Sequence, residues 1–357
     1  MSQSVIGSHK FDLDTPILCI DLDIMQSNIQ KMSEYILSRG KTWRPHEKCH
    51  KTPAIALAQM QAGAIGVTCA KVSEAEVMAA AGVKDILIAN MIVGKTKWER
   101  VVSLCRHARP IIACDHFAQI EPLAMMCDEA GVTCRMMPEV NIGLNRVGSR
   151  PGQDTLDLAM AIDKLNGVEL AGIMGYEGHL LQIQDQAEKE EKITEAMRTL
   201  VGCKTAIEAK GIPCEIVSAG GTGSYQITSN CEGITELQAG GGIFADPMYV
   251  NKCGLTGLDY SLSVLATVVS RPEKGRMVLD CGRKTMHPDF QLPLVKAWPD
   301  AKVTALSAEH CAVDLGPESQ DLKIGDKLEL IPGYADFTTI LHENFYGFRN
   351  DRLEVVW

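Results

Sequence analysis

TWRPHEKCHK, residues 42–51, decides how the rest of the chain is read. From Arg44 onward, five potentially cationic side chains (Arg44, His46, Lys48, His50 and Lys51) share eight positions of a chain that is acidic overall. In an extended strand Arg44, His46 and Lys48 point to one side. A surface lysine between turn-capping histidines is one reading of this octet. A strand that delivers Lys48 to the edge of a sheet is the other, and the remaining sequence bears on the choice.

Seven further short apolar runs follow at even spacing: AIGVTCAK (64–71), KDILIAN (84–90), RPIIACD (109–115), RMMPEVN (135–141), LAGIMGYEG (170–178), CEIVSAGG (214–221) and ELQAGGG (236–242). Helix-like segments separate them, including TPAIALAQMQAG (52–63), SEAEVMAAAG (73–82) and the long charged stretch 184–211. Several of these close on the glycine that helix C-termini favour. Eight strand–helix repeats in this length predict a (β/α)8 TIM barrel over 24–255, with a doubly wound open sheet as the alternative. Lys48, Lys71, Asn90, Asp115, Asn141, Tyr176 and Gly221 each close their run, at the end where such folds assemble chemistry. After about residue 255 the texture becomes alternating and β-branched (LSVLATVVSRP, GRMVLDCG, DKLELIPG), which predicts a mostly-β domain of 1–23 and 256–357.

Composition narrows the function. Lys plus Arg is 35 against 45 for Asp plus Glu, so no nucleic-acid footprint is expected. No run approaches a membrane span, and the first residues lack the apolar stretch of a signal peptide. Thirteen cysteines occur without a CxxC, which fits free thiols and a cytoplasmic location.

Glycine-rich turns follow the seventh and eighth runs: SAGGTGSY (218–225) and QAGGG (238–242). Successive backbone N–H groups there suit a phosphate, although tight turns alone use the same residues. A Schiff-base lysine at 48 combined with a phosphate cradle in these two turns points to pyridoxal 5'-phosphate. Arg146, in the loop IGLNRVG, meets a cofactor oxygen or pairs with Glu139; Tyr176 reaches the ring nitrogen or packs.

RPHEKCHKT, VTCAKVSEAE, IGLNRVG, GGTGSY, ELQAGGG and SAEH, in this order, resemble the D-threonine aldolase and D-serine dehydratase family of fold type III pyridoxal phosphate enzymes, related to alanine racemase. The resemblance runs from DTPILCIDLD to RLEVVW. It implies a barrel plus β domain, a homodimer, a Schiff base at Lys48, a cofactor phosphate held at Gly221, Thr222, Gly223, Gly240 and Gly241, and action on D-amino acids bearing a β-hydroxyl. Aldol cleavage of the D-threonine or D-3-hydroxyaspartate type leads. Dehydration by an ammonia-lyase, metal-independent racemisation and a non-catalytic cofactor binder are the alternatives. Relatives place a divalent metal (Mn2+, Mg2+ or Zn2+) on a His-x-Asp or His-x-Cys pair; the matching residues here are Tyr334, Ala335 and Asp336. Either Asp336 holds the metal with help from His310, or Tyr334 or His179 serves as the acid/base group. Gln182 stands where aldolases carry a histidine, and Asn141 where an aspartate is usual. His287 and Asp289 form a further cluster, read as a turn or as a contribution to a partner's site.

Overall fold

Residues 5–357 are described by a computed structural model. Residues 1–4, the start of the 1–23 segment assigned above to the β domain, lie outside it. The chain divides into two compact units: one comprises the chain up to Lys31 with Gly241–Trp357, the other Met32–Gly240.

Strand β1 (Ile17–Asp21) leads into helix α1 (Leu22–Ser38). The Asp21 carboxylate accepts the Ile24 N–H at 3.0 Å and caps the helix that starts at Leu22.

The Met32–Gly240 unit contains β2 (Thr42–Trp43), α2 (Pro53–Gln61), β3 (Val67–Cys69), α3 (Val72–Ala80), β4 (Asp85–Ile88), α4 (Lys95–Cys105), β5 (Arg109–Cys114) and α5 (Phe117–Glu129). It continues through β6 (Cys134–Pro138), α6 (Gln153–Lys164), β7 (Val168–Leu170), β8 (Gly172–Met174), α7 (Gln186–Glu208), β9 (Ile216–Ala219), α8 (Tyr225–Thr228) and β10 (Glu236–Leu237). Parallel pairing orders β2, β10, β9 and β8 in one sheet and β3 to β7 in another. Isolated parallel bridges, His46 with Thr68 and Glu139 with Met174, join the two sheets. Followed from neighbour to neighbour, the pairing passes β2, β3, β4, β5, β6, β8, β9 and β10 and returns to β2.

Both faces of these strands are apolar, which is why the runs read as nearly continuous rather than alternating. Leu87, Ile111, Ala113, Met137 and Met174 cluster on one face. Their neighbours Ile86, Ile88, Ile112, Cys114 and Met136 turn to the other face and pack with helix residues such as Val101, Ile120, Leu123 and Ile162.

Two sequence expectations shift. The strand expected over 42–48 narrows to Thr42–Trp43, although the N–H groups of Arg44 and His46 still donate to Leu237 and Gln238, and residues 47–49 wind into a 3-10 turn. The run LAGIMGYEG divides into β7 and β8, which pair with β6 and β9 respectively.

Arg44 does not join Lys48. Its buried guanidinium donates to Glu236 (2.9 Å) and Asp85 (2.6 Å), residues that begin β10 and β4, at the opposite end of the parallel strands. Ser218 donates to the same Glu236, and Arg135 to the same Asp85. Burial alone would raise the Asp85 pKa, but Arg44 and Arg135 outweigh it and hold the carboxyl below its ordinary range.

In the other unit, β11 (Leu262–Glu273), β12 (Arg276–Leu279), β13 (Leu294–Val295), β14 (Lys302–Leu306), β15 (Cys311–Asp314) and β16 (Lys327–Ile331) pair antiparallel. They form a six-stranded ring, since β11 bonds to both β12 and β16. β1 adds beside β11, followed by β17 (Tyr346–Arg349) and β18 (Arg352–Val356). The short helix α9 (Ala335–Thr339) carries the Tyr334–Asp336 segment. All thirteen cysteines are free, and no helix among the described residues is long and apolar enough to cross a membrane.

Candidate active site

Lys48 occupies the 3-10 turn Glu47–Cys49, just past the end of β2, with its side chain exposed. His46 caps the turn, its Nδ1 accepting the Lys48 N–H at 3.3 Å. Burial, then the positive charges of Lys48 and Arg146, hold the His46 imidazole well below its usual pKa, so it is neutral. His50 is neutral as well: burial pulls it down to about 4, and its Nδ1 accepts the Thr52 N–H. Of the octet's cations, Lys51 is tied to Glu74 at 3.2 Å. Lys48 therefore stands among neutral imidazoles rather than in a field of five charges.

Glu47, beneath it, went unnoticed in the sequence because a glutamate beside two lysines reads as a surface ion pair. It is fully buried against Glu74 and the Cys69 thiol. Burial, with the Glu74 charge, pushes its pKa from 4.5 to about 8. The folded state thus holds a proton that the unfolded chain releases above its ordinary range. This contribution makes stability fall as pH rises toward 8. Glu47→Gln, which mimics the protonated acid, is expected to flatten the decline in melting temperature between neutral pH and pH 8; parallel curves for variant and parent would contradict the assignment.

The loop after β6 is built by Asn141, whose Oδ1 accepts the N–H groups of Gly143 and Asn145, both at 3.1 Å. Here asparagine organises backbone. The loop presents Arg146, which pairs with buried Glu139 (3.4 Å) and lies over the Tyr176 ring, 5.5 Å from its centroid. The Tyr176 ring in turn packs against Gly221, where an added Cβ would lie 2.8 Å from it. His179, exposed in the turn Gly178–Leu180, sets its Nε2 against Gly143, 2.6 Å from where a Cβ would stand. Burial keeps the His179 pKa below its ordinary value. Gln182 is exposed nearby in sequence, its carbonyl accepting from Gln184.

Beyond β9, Gly221 accepts the N–H groups of Ser224 and Tyr225. Among the described residues no acceptor takes the N–H groups of Thr222, Gly223 or Gly240, although all three residues are buried. Gly240 lies so close to the Lys48 turn that a Cβ there would be 2.1 Å from the His46 carbonyl oxygen. Gly241, the first residue of the other unit, opens the 3-10 turn Gly241–Ile243. The helix that follows the Gly221 turn, α8, spans four residues. Two supports of the loop escaped the sequence reading. Glu177 accepts from Thr228 Oγ1 (2.5 Å) and the Gly220 N–H (3.3 Å). Lys189, buried on α7, donates to the Gly223 carbonyl at 2.9 Å. Lys189 sits in a charge run that reads as a solvated face.

Thus, at the carboxyl ends of the strands, Gly240 meets the Lys48 turn at the His46 carbonyl, while Arg146, Tyr176 and Gly221 form a second line of contacts whose Arg146 charge is felt at His46; Thr222 and Gly223 share the turn of Gly221. These residues fit a pyridoxal phosphate: an exposed primary amine, free buried amides for a phosphate, and a guanidinium stacked on a phenol.

In the other unit, Tyr334 donates to Asp336 Oδ2 at 3.1 Å. Burial, then the Asp336 charge, pushes the phenol's pKa up, so it stays protonated. His310 lies in the exposed turn between β14 and β15, its carbonyl bonded to Ser307. His287 contacts Asp289 at 3.7 Å and packs edge-on to Phe337. Among the described residues no group of three His, Cys, Asp or Glu side chains is arranged to hold a metal ion. The donor set at Asp336 does not fit the divalent metal expected there.

Residues 20–247 match the family described as alanine racemase, N-terminal domain, and residues 261–348 the putative serine dehydratase domain. D-threonine aldolase from Arthrobacter sp is 33% identical over 347 residues, 97% of this chain and 92% of that protein. 3-Hydroxy-D-aspartate aldolase from Paracoccus denitrificans (strain Pd 1222) is 32% identical over 362 residues, 98% of this chain and 92% of that one. The crystal structure of D-threonine aldolase from Filomicrobium marinum aligns at 34% identity with a TM-score of 0.95, covering 99% of this chain and 96% of that one. The fold is alanine racemase-like, and the chain belongs to the D-threonine aldolase and D-serine dehydratase family.

Proposed function

We propose that the protein is a pyridoxal phosphate-dependent carbon–carbon lyase that splits D-configured β-hydroxy-α-amino acids, of the D-threonine or D-3-hydroxyaspartate type, by retro-aldol cleavage. The observation that carries this reading is the exposed Lys48 turn held against Gly240, with the Arg146–Tyr176–Gly221 contacts close enough for the Arg146 charge to act on His46 and glycine turns whose buried amides are free. Identity above 30% to two aldolases along nearly the whole chain supports the reaction class.

Bound pyridoxal phosphate supplies an aldehyde for condensation with amines and a ring that takes up the electron pair released at Cα. Lys48 would be the amine that holds the aldehyde, and the amides of Thr222, Gly223, Gly240 and Gly241 would receive the phosphate. Arg146 would meet an oxygen of the ring and Tyr176 its nitrogen, where a neutral phenol would not stabilise the charge that a carboxylate does. Cleavage needs a base for the β-hydroxyl proton, and neutral His179, on the turn against Gly143, is our candidate. As His179 takes the hydroxyl proton, Cα–Cβ breaks and the aldehyde departs; the carbon left with the electron pair takes up one proton, equal to the one removed, to give glycine.

The returning order of the strand pairings supports a closed (β/α)8 barrel as the scaffold. We take the working assembly to be a homodimer, supported by the exposed apolar side chains Phe337, Ile340 and Leu341.

The match to a serine dehydratase domain keeps dehydration as the second reading. Incubation with D-threonine and D-3-hydroxyaspartate separates the two. Glycine with an aldehyde is the expected result. A keto acid with ammonia would establish dehydration, and racemisation without either would overturn the lyase reading.

A further inference from the structure

The Tyr334–Asp336 segment is built differently from a cation site. The Tyr334 ring is buried at 8% exposure and gripped edge-on by Tyr249, Phe290 and Phe337, with ring centroids 5.8, 5.0 and 4.9 Å away. Its hydroxyl is bonded to both the Tyr249 side chain and Asp336. The second carboxylate nearby, Asp246, is spent on backbone: Oδ1 accepts the Tyr249 N–H at 3.0 Å and Oδ2 the Ala335 N–H at 2.8 Å.

The four histidines of this unit do not complete a ligand set. The His9 Nδ1 accepts from Phe11, and the His342 Nε2 is bonded to the Thr285 carbonyl at 2.8 Å. His287 packs on Phe337, and His310 lies in the β14–β15 turn. Mg2+, Mn2+ and Zn2+ draw on carboxylate, imidazole or thiolate donors. Here one carboxylate faces a hydroxyl that must donate, not accept.

We propose that Tyr334 and Asp336 form a phenol–carboxylate pair that stands in place of a divalent-cation site, so that the enzyme works without Mg2+, Mn2+ or Zn2+ there. The metal independence of turnover rests on the lyase reading above; the ligand chemistry does not. The single hydroxyl proton of Tyr334 is donated in a hydrogen bond to Asp336, and the aromatic cage holds the ring in that pairing.

The test measures Mn2+ binding to the pyridoxal phosphate-loaded enzyme by the paramagnetic resonance signal of free Mn2+, alongside turnover with and without a chelator. The parent is expected to bind no stoichiometric Mn2+ and to keep its rate in chelator. Tyr334→His, which restores an imidazole two residues before a carboxylate, is expected to tighten Mn2+ binding by about tenfold or more. Tyr334→Phe, which preserves the ring packing and removes the donor to Asp336, is expected to bind no stoichiometric Mn2+ either. One equivalent of Mn2+ bound by the parent and lost in Asp336→Asn would overturn the proposal, as would a parental rate lost in chelator and restored by Mn2+. If no β-hydroxy amino acid is turned over, the lyase reading fails while the Mn2+ titration still decides the metal question.

Discussion

Replacing Lys48 with alanine is expected to lower turnover of any D-β-hydroxy amino acid by at least about 10⁴-fold, because the amine that holds and returns the cofactor aldehyde is gone. The fold should survive. Lys48 is exposed, and the turn around it is held by backbone: the N–H groups of His50 and Lys51 both bond to the Glu47 carbonyl, at 3.0 and 2.7 Å. The His46 cap accepts the backbone N–H of residue 48, which alanine retains. Melting temperature and circular dichroism should therefore match the parent while the absorbance of attached cofactor disappears. A variant that keeps more than a few per cent of parental turnover would show that another group carries the chemistry.

The second large effect is expected at a residue with no side chain. Gly240 stands where a Cβ would approach the His46 carbonyl oxygen to 2.1 Å and its carbonyl carbon to 2.8 Å. Both are backbone atoms, so no rotamer change relieves the clash. Gly240→Ala must push the Lys48 turn away from β10 or displace the 238–241 turn itself. A shift near 1 Å at the reactive amine costs about 10²-fold in rate. The same displacement disturbs one of the free buried amides, so weaker cofactor retention on dialysis should accompany the loss. Gly82→Ala is the control: nothing lies within 4 Å of a Cβ there, although its positive φ adds modest local strain. Equal activity in Gly240→Ala and the parent would mean that the contact between these two turns does not position Lys48.

Much of this site was legible in the chain itself. The apolar runs with polar carboxyl ends placed Lys48, Arg146, Tyr176 and the glycine turns near one another because short strands, parallel pairing and helical returns leave few arrangements. The octet's meaning was less accessible. Arg44 and Lys48 look equivalent in RPHEKCHK, yet Pro45 and the 3-10 turn divide them. Arg44 enters a buried ion network whose partners lie 41 and 192 residues away. Pairings at that separation leave no local pattern. For the same reason Glu177 and Lys189 were invisible as loop supports, since their partners are a distant threonine and a glycine carbonyl. Asn141 was noticed as a departure from its relatives, but its two backbone bonds depend on a loop conformation that residue types alone do not specify. Strand length was overestimated wherever a turn took over the apolar run, as at 47–49 and after Leu237.

The β-rich unit shows the converse. Its alternating strands were readable, but not that β11 pairs with β16 through Val264–Thr267 and with β12 from Val268 onward, with register shifts at Val268–Ser270 and Ser270–Glu273. Likewise the Tyr334 substitution was visible as a change of residue. The engagement of both Asp246 oxygens by backbone, which removes a second carboxylate ligand, was not.

The most direct measurement is borohydride reduction of the protein incubated with pyridoxal phosphate, followed by peptide mapping. A single pyridoxyl adduct on Lys48, abolished in Lys48→Ala, is the expected result. An adduct on Lys51, Lys71 or Lys189, or no adduct at all, would contradict it.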